Sequence, residues 1–201
     1  LITNVGKAHL LGFGSFEGVV QTKCELYDYL KDSGGKAFVN QTNAILKKEA
    51  ESRQLSVIKY AGENSPEIVS CAPFLTVSYQ RKTIETQLIG RYNLENILTA
   101  IKIGEYFKVD ENEIIEALEE YTPNNNRSQY KKTQRNELII DAYNANPTSM
   151  LASIENFLLI NKIGKSVILG DMKELGQESK EEHQKIADLL SKSNLENIIL
   201  V

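Results

Sequence analysis

Leu138-Ile139-Ile140-Asp141-Ala142-Tyr143-Asn144-Ala145-Asn146-Pro147-Thr148-Ser149-Met150 is the stretch from which the fold reads outward. Three apolar residues suit a buried strand, and a polar strand end then runs into a helix start marked by Pro147, Thr148 and Ser149. The helical period continues from Ser149 to Leu159. The same grammar recurs at once. Ser166 to Gly170 reads as a strand, Asp171 to Gly176 as a polar loop, Lys180 to Leu190 as a helix, and Ile198 to Val201 as a third strand. Strand, helix, strand, helix, strand predicts a parallel sheet with right-handed crossovers. In such sheets ligands collect beyond the carboxyl ends of the strands, where these polar clusters lie.

Upstream, Pro123-Asn124-Asn125-Asn126 joins a helix breaker to three turn formers and divides the chain into units 1–122 and 123–201. The first unit also alternates. Leu1 to Val5 reads as a strand, Gly12 to Gly18 as a turn, and Val19 to Leu30 as a helix stopped by Asp32-Ser33-Gly34-Gly35. A strand at Ala37 to Asn40 and a helix at Ala44 to Arg53 follow. Between residues 55 and 90 the runs Val57–Tyr60, Phe74–Tyr79 and Ile84–Ile89 are β-type, and helical period returns at Asn93–Phe107 and Glu111–Tyr121.

The chain has 201 residues, 41% hydrophobic and 25% charged, ordinary for a globular α/β protein. A net charge of −4 excludes a strongly basic nucleic-acid binder, and no nucleic-acid partner is expected. No apolar run reaches the roughly 18 residues of a membrane span. Two cysteines are too few for a disulfide framework, so a reducing cytoplasm is the expected setting. Both ends fall inside strand-like runs without an initiator Met, which is the expectation for an internal fragment.

Candidate chemistry lies at the strand ends. His9 follows the first strand, and on position alone it is equally a loop histidine without a role. Lys23, 14 residues on, is a solvated charge unless CO2 adds to its amine, giving a carboxylate-like carbamate suited to Mg²⁺. Gly12-Phe13-Gly14-Ser15 fails the G-x-G-x-x-G spacing, and no G-x-x-x-x-G-K-[ST] occurs anywhere in the chain. In Gly90-Arg91-Tyr92-Asn93-Leu94-Glu95-Asn96, Asn93 suits a helix N-cap, while Asn93 and Asn96 together suit the edge of a purine. A capped helix start explains part of the Asp141–Ser149 run, but one carboxylate and two carboxamides are denser than capping needs. His183, in the last helix, reads as a solvated histidine.

Taken in order, TNVGKAHLLGFGS, a Lys 14 residues after the His, GRYNLEN, an Arg, DAYNANPTSM and GDMKELG resemble the Mur ligases over essentially the whole chain. The resemblance implies the later part of a central ATPase domain, mostly parallel with a small β-rich section, then the start of a Rossmann-like C-terminal domain. It implies an ATP-dependent amide-bond ligase of peptidoglycan synthesis, and DAYNANPTSM resembles the branch joining D-alanyl-D-alanine to a UDP-MurNAc-tripeptide through an acyl phosphate. Another Mur or folylpolyglutamate-type ligase, and a nucleotide-binding module without catalysis, are the alternatives. By the same resemblance His9 and carbamylated Lys23 hold Mg²⁺, and Asn93 and Asn96 contact adenine. Arg127 reaches the ATP phosphates, and Asp141 lies near the ribose. Asn144, Asn146 and Glu174 line the cleft for the amino-acid substrate, and His9, Lys23 and Arg127 serve catalysis. A monomer is expected for the intact protein. Leu11 stands where many relatives carry an acidic residue, and Gln41-Thr42-Asn43 where they often show an Asp.

Overall fold

A computed structural model describes residues 1–62 and 65–201. Three apolar cores organise them, each built from one sheet and the helices that cover it.

The first core lies under the opening helices. Ser15 caps α2 (Phe16–Asp32) by accepting from the Gly18 amide, and α2 buries Val19, Cys24 and Tyr27. These meet Ala37 and Val39 of β1 (Lys36–Asn40) and Leu46 and Ala50 of α3 (Ala44–Ser52). Arg53 links the two helices, donating from Nε to Asp28 at 2.7 Å and from Nη1 to Glu49 at 2.5 Å. β2 (Ser56–Tyr60) pairs parallel with β1, so the first β-type run after residue 55 belongs to this parallel unit.

Leu1 to Val5 corrects the sequence reading, for no ladder partner among the described residues pairs with it and it forms no strand. Its apolar character is used instead by packing, with Ile2 buried in the first core. The Gly12–Gly18 turn is likewise shorter than expected, because a single helical turn, α1 (Leu10–Phe13), precedes α2.

The second core is antiparallel. β3 (Glu67–Cys71), β4 (Phe74–Tyr79) and β5 (Lys82–Ile89) form a meander in that order. Strict alternation in β4 buries Leu75, Val77 and Tyr79 against α4 (Leu94–Tyr106) and α5 (Glu111–Glu120). β3 was not expected, since its pattern of mostly exposed residues carries little period-2 signal.

The third core draws on residues from Ala145 to Leu195. α6 (Pro147–Leu159) and α7 (Ser179–Ser191) pack Ile154, Ile186 and Leu190 around Met172 and Leu175. β8 (Ser166–Leu169) and β9 (Asn197–Leu200) pair parallel, as expected. The expected third member of that sheet does not join it. β7 (Glu137–Ile140) pairs antiparallel with β6 (Gln129–Lys132), a strand the sequence reading missed. The physical reason is proximity. Thr133 closes the turn, its amide donating to Asn136 O at 2.8 Å, and a hairpin neighbour is the nearest available ladder.

Candidate active site

Two seams between distant parts of the chain bring His9 beside Glu174, and Tyr92 beside Asp141 through Ser128. At the first seam the turn after Val5 meets the loop that follows β8. His9, in left-handed conformation at φ 55°, presents Nδ1 to Glu174 Oε2 at 2.5 Å. The Leu11 amide donates to Glu174 O at 3.1 Å. Lys7 Nζ reaches Glu178 at 2.6 Å and Glu182 at 3.3 Å. Gly6 lies here too, where an added Cβ would meet Thr148 Oγ1 at 3.5 Å.

The loop carrying Glu174 is held from behind by His183. Its Nδ1 lies 2.7 Å from Ser179 O, and its Nε2 lies 2.8 Å from Asp171 and 3.2 Å from the Met172 amide. The solvated reading of His183 is thus corrected: a half-buried ring ties the two ends of the polar loop together. A cavity of about 700 Å³ opens beside this pair, lined in part by Met150, Lys180 and Leu200.

The second seam runs through Tyr92. Gly90 has φ 96°, and a Cβ there would stand 2.3 Å from the Tyr92 ring, so only glycine lets the ring fold back over the turn. The phenol is bonded to Ser128 Oγ, which in turn donates to Asp141 Oδ2 at 3.4 Å. Burial pushes the Tyr92 pKa up, against the opposing bond to Ser128. Phe74 and Tyr130 meet edge to face alongside, with ring centroids 5.4 Å apart. The Ala142 amide donates to Asn126 O at 2.8 Å and anchors the linker to the end of β7.

The two carboxamides of the β5–α4 junction have different environments. Asn93 does not cap α4. It is buried, and its Nδ2 donates backward to Ile89 O at 2.8 Å while its Oδ1 accepts from Asn96 Nδ2 at 2.8 Å. Asn96 is exposed and uses only its Nδ2 in that bond. Asn146 is the real cap of α6, accepting from the Ser149 amide at 3.0 Å. Arg127 stacks over the Tyr143 ring, 3.9 Å from its centroid, next to the exposed Asn144. Lys23 is exposed, and its Nζ donates to Asn4 O at 3.1 Å. Among the described residues no group of three or more His, Cys, Asp or Glu side chains is placed to hold a metal ion.

The structure therefore pairs His9 with Glu174, Asn93 with Asn96, and Tyr92 with Asp141 through Ser128. Lys7, Tyr92, Ser128 and Tyr143 were missed by sequence reasoning. Only Tyr92 and Tyr143 had a signal, as aromatics inside polar strand-end motifs.

Residues 1–104 match the Mur ligase middle domain, and residues 126–201 match the Mur ligase glutamate ligase domain. The chain belongs to the Mur ligase family. A UDP-N-acetylmuramoyl-tripeptide–D-alanyl-D-alanine ligase from Bacillus subtilis is 28% identical over 98% of this Mur ligase chain. The chain spans 44% of that relative's length. A crystal structure of MurF from Acinetobacter baumannii superposes with a TM-score of 0.83 at 25% identity, covering 99% of this chain and 45% of the other. MurF from Thermotoga maritima, solved in complex with ADP, superposes with a TM-score of 0.72 at 23% identity, over 98% of this chain and 51% of that one. The fold class expected from the motifs, Mur ligase central-domain sequence followed by C-terminal-domain sequence, is the one found. Among the described residues no helix of this Mur ligase is long and apolar enough to cross a membrane.

Proposed function

We propose that this chain is part of an ATP-dependent ligase that joins D-alanyl-D-alanine to a UDP-MurNAc-tripeptide in peptidoglycan precursor synthesis. The observation that carries the reading is the Tyr92–Ser128–Asp141 chain, which ties the helix start bearing Asn96 to the strand end bearing Asp141. A nucleotide with its adenine at Asn96 and its ribose at Asp141 would bridge the two units, 1–122 and 123–201. The relatives' names support the substrates, and the ADP complex of the Thermotoga protein supports the nucleotide.

The chemistry is phosphoryl transfer followed by acyl transfer. The terminal carboxylate of the tripeptide attacks the γ-phosphorus and ADP leaves, giving an acyl phosphate. The amine of D-alanyl-D-alanine then adds to the acyl carbon, and phosphate departs as the amide forms and the nitrogen loses its proton. Arg127 serves this sequence by neutralising phosphate charge, a role supported by its stacking on Tyr143 within the polar strand-end motif. Asn96 contacts adenine with its exposed carboxamide, while Asn93 holds Asn96 in place. Asn144 and Asn146 line the approach of the amino-acid substrate, the latter through its cap on α6.

Mg²⁺ prefers oxygen donors, and the two residues that the resemblance assigns to it offer an imidazole, its Nδ1 already bonded to Glu174, and an ammonium, which repels a cation. His9 and Lys23 fit Mg²⁺ only after CO2 has added to the Lys23 amine, so no step here is routed through a metal. A cytoplasmic, monomeric protein completes the proposal.

The test is phosphate release by the ligase containing this chain, with ATP, UDP-MurNAc-tripeptide and D-alanyl-D-alanine each omitted in turn. Release that requires all three supports the reading. Release that instead follows L-glutamate with a folate acceptor selects the folylpolyglutamate-type alternative. Nucleotide binding without any turnover selects the binding module.

A further inference from the structure

We propose that Lys7 and Glu174 are positioning residues, clasping the turn 6–11 to the loop and helix 174–182 and so fixing the orientation of the His9 imidazole. The proposal rests on the ligase reading only in giving His9 a place near the reaction. The clasp itself is a property of the chain.

Four contacts converge on this one turn. Lys7 bonds Glu178 and Glu182, His9 bonds Glu174, and the Leu11 amide bonds Glu174 O. The Lys7 partners come 171 and 175 residues later in the chain, so none of this is local geometry. Glu182 is the less exposed end, its side chain 9% accessible, and it is shared with Lys185 at 3.0 Å. Burial pushes its carboxyl pKa up, but hydrogen bonds from Lys185 and Lys7 outweigh that and hold it below the ordinary range. The bond to Glu178 raises the Lys7 pKa correspondingly. A lysine between two carboxylates is held more firmly than an isolated surface pair, because neither carboxylate can be satisfied by the other.

Glu174 does two things with one residue. It sits in left-handed conformation at φ 63°, which lets its carbonyl meet the Leu11 amide while its carboxylate meets His9 Nδ1. A carboxylate at Nδ1 selects the tautomer with the proton there and leaves the Nε2 lone pair facing outward, the usual way an orienting carboxylate prepares an imidazole. The orientation of His9 in the first unit is thereby set by a residue of the second.

The test uses the ligase containing this chain, without ligands. Amide hydrogen exchange at Leu11 reports the clasp, because that amide donates to Glu174 O. Lys7→Met should speed Leu11 exchange about 3- to 10-fold, the scale of a reinforced surface ion pair, and leave the amides of Leu75 and Val77 unchanged. Lys7→Arg should restore protection. Glu178→Gln should speed exchange alone but add nothing in the Lys7→Met background. Glu174→Ala should move the neutral His9 ring toward the Nε2–H tautomer, read from its imidazole ¹⁵N shifts. An unprotected Leu11 amide in the unsubstituted chain, or one indifferent to Lys7→Met, overturns the clasp. Unchanged His9 shifts in Glu174→Ala overturn the orienting role. Both results are independent of the substrate-omission assay, which judges the ligase reading separately.

Discussion

Replacing Asn93 and Asn96 one at a time should separate a structural carboxamide from a binding one. Asn93 is 9% exposed and makes two side-chain bonds of 2.8 Å, one to the carbonyl of Ile89, itself buried. Each is worth about 0.5–1.5 kcal/mol net, and truncation leaves the buried Ile89 carbonyl without its donor, so Asn93→Ala should cost about 2 kcal/mol. In a chain of this size that lowers Tm by about 4–8 °C. Asn96→Ala removes only the bond to Asn93 from an exposed position and should cost no more than about 1 kcal/mol. Urea unfolding with the slope monitored gives both values, and a changed midpoint at constant slope isolates stability. Titration with ATP should give the opposite order, with Asn96→Ala weakening binding by about tenfold, the scale of one or two hydrogen bonds. Equal destabilisation by the two substitutions, or a stability loss for Asn93→Ala below about 0.5 kcal/mol, would refute this division of labour.

Further outcomes follow from the same geometry. Thr86 is 2% exposed and both donates to Leu75 O at 2.7 Å and accepts from the Leu88 amide at 3.2 Å, so Thr86→Val should cost about 1–3 kcal/mol by urea unfolding. Glu182, whose folded pKa lies below its ordinary 4.5, should contribute stability that is full above that value and lost as pH falls through the folded value. Urea midpoints measured from pH 7 to pH 3 should therefore drop less steeply in Glu182→Gln. Arg127→Ala in the ligase containing this chain should lower kcat/KM for ATP by about 10- to 100-fold, the worth of a charge-assisted contact to phosphate, in a steady-state phosphate-release assay.

Much of the fold was legible because its signals are local. Helix periods and Gly stops located α2, α3, α4 and α5 to within a few residues, and the β-type run Phe74–Tyr79 coincides with β4. What failed depended on partners. Leu1–Val5 has strand composition but, among the described residues, no neighbour to pair with, and the Leu138–Ile140 run took the adjacent β6 in place of β8. β3 and β6 are short, largely exposed runs in which burial imposes no pattern. At the candidate site the motifs gave residue types and order but not contacts. Asn93 read as a cap because its position is right for one, yet its amide turns back to Ile89. His183 read as solvated because helical spacing cannot show that a loop folds back over it. Lys7 had no signal at all, since a lysine in a glycine-bearing turn is indistinguishable from any other surface charge until its partners, more than 170 residues away, are known.

Gly90 gives the second seam an unusual genetic signature. Any side chain there would drive the Tyr92 ring outward, releasing Ser128 and through it Asp141, in a separate unit of the chain. In a saturation mutagenesis screen Gly90 should tolerate as little change as a ligand-contacting residue, for a purely steric reason, and its lesions should be epistatic to those at Ser128. A mutational map of this chain would then show two hot positions far apart in sequence that rise and fall together.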